Sequence, residues 1–209
     1  GLKALGLPVV STIHHPLTVD RRASFVRDTN LVEAIGTMQF YPIGMQSFVS
    51  RRLDHVVTSS EASAMQIVQD FGVRPERLTN VWNGLDTDLY SPDSSVDRCP
   101  SEILCVGRAN DPNKGIRNLI EAIAQLPTEI RLRLVDDDHP DNPVFAWARR
   151  SGVSDRVHVT GRIPIDELVH AYRRATLVVV PSRYEGFGLP AVEAMACGTP
   201  VIATEAGAL

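Results

Sequence analysis

The sequence predicts an α/β fold with parallel sheets, because strands alternate with helices, a glycine loop joins a strand to a helix, and the composition is that of a globular protein. Hydrophobic residues make up 44% and charged residues 22% of the 209 residues. These values are ordinary for a soluble domain, and the length allows one large or two small domains. Strands that alternate with helices are typical of βαβ units with parallel strands.

The N-terminal portion, residues 1–90, predicts a partial Rossmann-like domain. Its predicted strands are residues 7–13, 54–59 and 78–82. Ser60 is suited to cap a helix over residues 61–71, and Gly72 is suited to end it. Residues 17–30 are polar and rich in arginine, which predicts a loop.

Residues 91–101 are rich in Ser, Pro and Asp, which predicts an interdomain linker. Residues 102–209 then predict a C-terminal Rossmann-like domain that binds the ligand. Its predicted strands are residues 102–107, 131–135, 156–160, 177–180 and 200–203, with a helix after each of the first four. We expect a chain that is incomplete at both ends, because the first portion has few strands and the second stops after one.

Composition excludes some classes of function. The formal net charge is -4 and is spread evenly along the chain, which argues against a nucleic-acid partner. No apolar run reaches the roughly 18 residues of a membrane span. The three cysteines have no metal-type spacing, which favours reduced thiols in a cytoplasmic protein. The arginines of residues 21–27 and the mixed segment 31–52 favour a solvated loop and a packed helix; peripheral contact with the inner membrane face is the alternative.

The apolar run at residues 177–180 predicts a buried strand, and the stretch from residue 181 to residue 204 that follows it predicts a glycine loop, a helix and a second strand. Gly186 and Gly188 form the loop, and Pro190 fits the first turn of the helix. A glycine loop that feeds a helix N-terminus directs backbone N–H groups at an anion. Glu185 before the loop and Glu193 in the helix add two acids, so a ligand with both phosphates and hydroxyls is predicted.

Two cations bracket the loop after the strand at residues 102–107. The guanidinium of Arg108 suits phosphate oxygens, and Lys114 supplies a compact charge at a helix start. A pair of solvated surface charges is the alternative. Neither the phosphate-loop pattern of the ATPases nor the dinucleotide glycine pattern is present.

Together these residues resemble the retaining glycosyltransferases of family 4, which have the GT-B fold of two Rossmann-like domains with a cleft between them. The resemblance is carried by four motifs. They are the E-x7-E stretch from Glu185 to Glu193, Gly107-Arg108, Lys114-Gly115, and Asn83-Gly84-Leu85-Asp86. It covers most of the chain and is strongest from Val81 onward.

The resemblance implies transfer of a hexosyl unit, with retention, from a UDP- or GDP-sugar to a glycan, lipid or small-molecule acceptor. Arg108 and Lys114 are expected to bind the diphosphate and stabilise it as it leaves. Glu185 is expected to face the donor sugar. His14, in the portion expected on the acceptor side (residues 1–90), matches the histidine near the reacting carbon. His15 follows it where the family often has glycine, so either imidazole is a candidate, and a structural histidine is the alternative for each.

The remaining donor contacts are also implied by the resemblance. Glu193 is expected to accept the ribose hydroxyls, and the turn around Ile163 to present backbone groups to the base. The residues expected to hold sugar hydroxyls and phosphate oxygens are Gly186, Phe187, Gly188 and Leu189. No cofactor and no metal are expected.

Three alternatives stay open at this stage. Asp136, Asp137 and Asp138 replace the glycine turn usual in the family; a solvated loop is the favoured interpretation and a metal site the alternative. A second class of function is a nucleotide-sugar-binding module without transfer. An epimerase or phosphorylase on the same fold is the third. A fragment with unpaired sheet edges is also expected to have little activity alone.

Overall fold

A computed structural model describes residues 5–27 and 43–209 of the chain. By the contacts between residues, the described chain divides into two units. The first runs to Asn83 and includes residues 184–187 and Ala208, and the second contains the rest from Gly84 onward. Each unit has its own parallel sheet, which confirms the predicted α/β class.

The first unit is built on a parallel sheet of order β1-β2-β3. Its strands are β1 (Val10–Thr12), β2 (His55–Thr58) and β3 (Leu78–Asn80). Its described helices are α1 (Leu17–Arg27), α2 (Ile43–Ser50) and α3 (Glu61–Phe71). Val56, Ile67 and Phe71 are fully buried where α3 packs on the sheet.

Helix α3 has the ends that its sequence predicts. The Oγ of Ser60 accepts a hydrogen bond from the backbone N–H of Ser63 at 3.1 Å. Gly72 takes the left-handed conformation that ends a helix, and its N–H donates to the carbonyl of Val68 at 3.0 Å. Both bonds satisfy backbone or capping groups that a helix terminus leaves open.

The predicted loop at residues 17–30 is wrong over its described part, where helix α1 forms. Arginine and alanine are good helix formers, so a polar composition does not exclude a helix. Thr18 donates a hydrogen bond to Asp70 of α3, which ties α1 to the unit. Of the mixed segment 31–52, residues 31–42 lie outside the described part of the chain.

The second unit is built on a five-stranded parallel sheet of order β6-β5-β4-β7-β8. Its strands are β4 (Cys99–Val106), β5 (Arg131–Val135), β6 (Val157–Val159), β7 (Ala175–Val180) and β8 (Val201–Ala203). Its helices are α4 (Ile116–Ile123), α5 (Pro143–Arg150), α6 (Ile165–Arg174) and α7 (Leu189–Ala196). A 3₁₀ turn, Pro112–Lys114, precedes α4.

Helices cover both faces of the second sheet. Successive strand residues point to opposite faces, so Ile103 packs with α4 and α5 whereas Leu104 packs with α6 and α7. Residues 91–101, predicted as a linker, lie within this unit, and β4 begins at Cys99. Tyr90, just before that segment, is buried in the core beside α6 and α7.

Candidate functional site

The predicted site residues fall into both units. The second unit contains Arg108, Lys114, Ile163, Gly188, Leu189 and Glu193, and the first contains His14, Glu185, Gly186 and Phe187. In the second unit the parallel strands bring the loops after β4, β6 and β7 to one edge of the sheet.

The loop after β4 is fixed against the segment that follows β7. Gly115 has a φ of +62°, and a Cβ there would lie 2.0 Å from the carbonyl oxygen of Pro181. The N–H of Arg183 donates to the carbonyl of Asn113 at 2.6 Å. Only glycine fits this approach, and the contact holds residues 108–115 beside the start of the glycine loop.

Both cations of that loop lie at the carboxyl edge of the sheet. Arg108 follows Gly107 at the end of β4 and is exposed. Lys114 ends the 3₁₀ turn, and its Cδ lies 3.5 Å from the position of a Cβ on Gly107. The side chain of Asp111 caps this turn by accepting from the N–H of Asn113 at 2.9 Å. The fold therefore holds Arg108 and Lys114 on one short, fixed loop.

Asp136 begins the loop after β5 and turns its carboxylate inward. Oδ2 accepts from the N–H of Ala109 at 2.8 Å and from the Nδ2 of Asn142 at 2.9 Å, and Oδ1 accepts from the N–H of Asp137 at 2.7 Å. The residue is only 7% exposed. Asp136 thereby fixes the backbone next to Arg108, so the favoured interpretation of this residue as part of a solvated loop is wrong.

A metal at this acidic loop receives no support from the geometry. Within residues 5–27 and 43–209, no group of three or more His, Cys, Asp and Glu side chains is placed to hold a metal ion. Asp137 and Asp138 are exposed, whereas Asp136 is committed to its three donors.

The turn after β6 places Ile163 just before α6. Gly161 has a φ of +75°, and a Cβ there would lie 3.3 Å from the carboxyl group of Asp138. The N–H of Thr160 donates to the carbonyl of Leu134 at 3.0 Å, which keeps the turn in line with β5. Ile163 is half-buried in this turn.

Gly188 opens helix α7. Its φ of +87° is in the left-handed region, and its carbonyl accepts from the N–H of Ala191 at 3.0 Å. Pro190 occupies the first turn of the helix, as predicted. Leu189 is 38% exposed at this terminus. The start of α7 therefore carries the partial positive charge that suits an anion.

Glu193, one turn into α7, is held by a buried phenol. The hydroxyl of Tyr172 in α6 donates to its Oε2 at 2.7 Å, and Tyr172 is fully buried. The ring of Tyr90 lies 6.3 Å from that of Tyr172, centroid to centroid. Burial raises the pKa of Tyr90 to about 12, and the nearby Glu193 carboxylate adds to the shift. The same two causes raise the pKa of Tyr172.

In the first unit, the two histidines after β1 differ in their surroundings. His14 is exposed, whereas the Nε2 of His15 lies 3.0 and 3.1 Å from the two carboxylate oxygens of Asp20. The ring of His15 is also 6.2 Å from that of Tyr184. The two imidazoles, left as alternatives by the sequence, are thus distinguished by their contacts.

Residues 184–187 are grouped with this unit by their contacts. A Cβ on Gly186 would lie 3.1 Å from the carbonyl oxygen of His14, so glycine allows the two backbones to approach. Glu185 is 7% exposed, and its carbonyl accepts from the N–H of Ala208 at 3.0 Å. Phe187 is half-buried. His14, Glu185 and Gly186 therefore belong to one neighbourhood.

Sequence reasoning missed three side chains that shape these sites. Tyr172 appears in the sequence as one more residue of the buried face of α6, three positions after Val169, and nothing in the spacing connects it to Glu193. Asp20 was assigned to a loop. Asp136 could have been suspected because an acid directly after a buried strand often accepts backbone N–H groups of the next loop.

No helix among residues 5–27 and 43–209 is long and apolar enough to cross a membrane.

Two family models match the chain and divide it between them. The one described as Glycosyl transferases group 1 matches residues 87–209, and the one described as Glycosyltransferase Family 4 matches residues 1–89.

Curated relatives extend over nearly the whole chain. An MMP alpha-(1->4)-mannosyltransferase of Mycolicibacterium hassiacum is 38% identical over 98% of this chain and 50% of its own length. A D-inositol 3-phosphate glycosyltransferase 1 of Catenulispora acidiphila is 33% identical over 99% of this chain and 52% of its own length. The chain thus spans about half the length of these relatives.

Solved structures show the same fold. Sucrose-phosphate synthase from Thermosynechococcus elongatus aligns with a TM-score of 0.77 and 27% identity, over 95% of this chain and 50% of that one. Anabaena HepE in complex with UDP-glucose aligns with a TM-score of 0.75 and 26% identity, over 96% and 54%. These similarities confirm the predicted GT-B type of fold.

Proposed function

We propose that this chain, which belongs to the glycosyl transferases group 1 family, contributes the donor site of an enzyme that moves a hexosyl unit from a nucleotide-diphosphate sugar to an acceptor with retention. The observation that carries the proposal is the contact of Gly115 with Pro181, 2.0 Å from a Cβ position to the carbonyl oxygen. It holds the loop with Arg108 and Lys114 against the chain that leads into the E-x7-E stretch.

The two cations are proposed to bind the donor diphosphate. When the bond between the sugar C1 and the phosphate oxygen breaks, its electron pair moves onto the diphosphate. The guanidinium of Arg108, the ammonium of Lys114 and the N-terminus of α7 stabilise this developing charge. Such stabilisation requires no metal, and we propose that the reaction proceeds without one.

The other proposed contacts with the donor run from its sugar, through its phosphates and ribose, to its base. Glu185 accepts hydroxyls of the sugar, and the backbone of residues 186–189 binds sugar and phosphate oxygens. Glu193 accepts the ribose hydroxyls, and backbone groups near Ile163 contact the base. His14, whose imidazole is exposed, contributes near the reacting carbon; His15 is oriented by Asp20.

The names of the relatives guide the choice of donors and acceptors to test. One relative is named for mannose transfer and another for D-inositol 3-phosphate, and one structural neighbour contains UDP-glucose. We therefore propose UDP- or GDP-hexoses as donors and a glycan, lipid or small polar molecule as acceptor. We propose the cytoplasm as the place of the reaction, with contact to the membrane face where the acceptor is a lipid.

Calorimetric titration of the chain with UDP-glucose and GDP-mannose tests the donor site. We expect Lys114→Ala and Glu185→Ala each to weaken binding at least about tenfold, because each removes a charged protein side chain that is proposed to hydrogen-bond to the ligand. Arg117→Ala is the matched control, since Arg117 is an exposed cation paired with Glu121 on α4. Unchanged affinity in both site variants would contradict the assignment.

Donor turnover separates transfer from binding alone. We expect slow release of UDP or GDP from the sugar that binds, and its loss in Lys114→Ala. Tight donor binding with no release under any acceptor would instead support a binding module.

A further inference from the structure

A buried side chain already occupies one carboxylate oxygen of Glu193. The hydroxyl of Tyr172 donates to Oε2 at 2.7 Å, from a residue with no exposed surface. A glutamate on a helix surface ordinarily keeps its rotamer freedom. The hydrogen bond limits the carboxylate of Glu193 to the rotamers that reach α6.

Tyr172 is itself fixed in position. The Oγ1 of Thr199 donates to its carbonyl at 2.7 Å, and Thr199 is 1% exposed. The N–H of Thr199 donates in turn to the carbonyl of Ala194 at 2.9 Å. The ring of Tyr90 packs near Tyr172 at 6.3 Å between centroids. The phenol thus approaches Glu193 from a rigid part of the core.

A neutral phenol is suited to this task. It supplies one donor and leaves the carboxylate its negative charge, so Glu193 stays a strong acceptor. A glutamate side chain loses rotamer entropy when it becomes ordered. A carboxylate that is already ordered does not lose this free energy on binding a ligand.

We propose that Tyr172 is a positioning residue that fixes the Glu193 carboxylate to accept the 2′-hydroxyl of a nucleotide ribose, and so lets the site discriminate ribose from 2′-deoxyribose. The inference rests on the proposed function, because it takes Glu193 as the ribose contact. Tyr172 acts through Glu193 and does not touch the nucleotide.

The test compares nucleotides that differ only at the 2′ position. Dissociation constants are measured for UDP and 2′-deoxy-UDP, and for GDP and 2′-deoxy-GDP. The proteins are the unsubstituted chain, Tyr172→Phe and Glu193→Ala. Thr176→Val is the matched control, because it removes a threonine hydrogen bond, to the carbonyl of Cys99, that involves neither Tyr172 nor Glu193.

We expect the unsubstituted chain to prefer the ribonucleotide. Tyr172→Phe should weaken binding of the ribonucleotide about tenfold and leave the deoxynucleotide unchanged, the size expected for a hydrogen bond to a charged group. Glu193→Ala should abolish the preference. Thr176→Val should keep the preference, because its hydrogen bond lies outside the contact of Tyr172 with Glu193.

Each contrary result has a distinct meaning. A Tyr172→Phe variant that keeps the preference, or that weakens both nucleotides equally, would overturn the positioning role while the donor site stands. An unsubstituted chain that binds both nucleotides equally would overturn the role of Glu193 at the 2′-hydroxyl. A chain that binds none of the four would overturn the proposed function as well.

Discussion

Two charged loops leave neighbouring strands of the second sheet, and they use their charges in opposite ways. Residues 108–115 follow β4, and residues 136–142 follow β5, its parallel neighbour. In the first loop Arg108 is exposed, and the loop is held in part by the approach of Gly115 to Pro181 and by the hydrogen bond from the N–H of Arg183 to the carbonyl of Asn113. In the second loop the carboxylate of Asp136 is buried and holds the chain through three hydrogen bonds.

The difference shows how position alone fails to separate ligand-binding charges from structural ones. Both Arg108 and Asp136 come within two residues of a strand end, where ligands bind in open α/β sheets. Asp136 accepts from the N–H of Ala109, so this structural charge fixes the loop that carries Arg108, the proposed phosphate contact. The two loops therefore form one arrangement, with Asp136 inside and Arg108 outside.

The largest effect on stability is expected from a substitution of Gly115, the glycine that lets the first loop approach Pro181. In Gly115→Ala, a Cβ would lie 2.0 Å from the carbonyl oxygen of Pro181, at a backbone φ of +62°. Overpacking and left-handed strain together predict a loss of about 4 kcal/mol of unfolding free energy. Urea denaturation measures it.

Gly152→Ala is the control for strain alone, since Gly152 has a φ of +69° and open space around it. It should cost about 1–2 kcal/mol. Equal losses in the two variants would show that the contact with Pro181 does not hold the loop.

Removing the inward charge of the second loop is expected to have the next largest effect. Asp136→Ala leaves the N–H of Ala109 and the amide of Asn142 without their acceptor, which predicts a loss of about 3 kcal/mol. Asp141→Ala, at a side chain that is 92% exposed, should stay within about 0.5 kcal/mol. Thermal and urea unfolding of both variants measure the difference, and similar values would contradict the division between inward and outward charges.

A smaller effect is expected at the phenols beside Glu193, and it depends on pH. Because burial and Glu193 raise the pKa of Tyr172 and of Tyr90, to about 12 for Tyr90, the folded state favours the protonated phenols. Their contribution to stability is complete below the ordinary tyrosine pKa of about 10 and is lost as the pH rises through the folded-state values.

Tyr172→Phe should therefore cost about 1 kcal/mol at neutral pH and show a shallower fall in stability above pH of about 10. Urea unfolding at a series of alkaline pH values tests this. Parallel curves for the two proteins would contradict the buried hydrogen bond.

The smallest effect on stability is expected from a substitution of Arg108, whose charged side chain is exposed. Arg108→Gln should change the free energy of unfolding by no more than about 0.5 kcal/mol, because the side chain is exposed. Urea denaturation beside the Asp136→Ala variant makes the contrast direct. A loss as large as that of Asp136→Ala would place Arg108 among the structural charges.

Local patterns predicted most of the fold, because each has a direct physical cause. The apolar run that forms β7, the cap of α3 at Ser60 and the first-turn Pro190 of α7 all form as predicted. Helix α1 was missed because its polarity resembles a loop and its anchor, Asp70, lies far along the chain.

In the candidate site, too, local sequence patterns predicted some features, whereas contacts between residues far apart in the chain were not predicted. The E-x7-E spacing and the glycines mark where we propose that a ligand approaches the backbone, and local sequence is enough to find them. The contacts of Asp136 with Ala109 and of Tyr172 with Glu193 join residues 27 and 21 positions apart, and no local pattern encodes them. The resemblance identified the side chains that we propose to face the ligand. Only the three-dimensional arrangement shows which residues hold those side chains and their loops in position.

The most direct test of the role proposed for Arg108 is UDP binding by the Arg108→Gln variant. Calorimetry measures it beside the unsubstituted chain and Arg117→Gln. We expect Arg108→Gln to bind UDP at least about tenfold more weakly than the unsubstituted chain, with an unchanged free energy of unfolding. We expect Arg117→Gln to bind UDP as strongly as the unsubstituted chain. UDP binding of equal strength in all three proteins would contradict it.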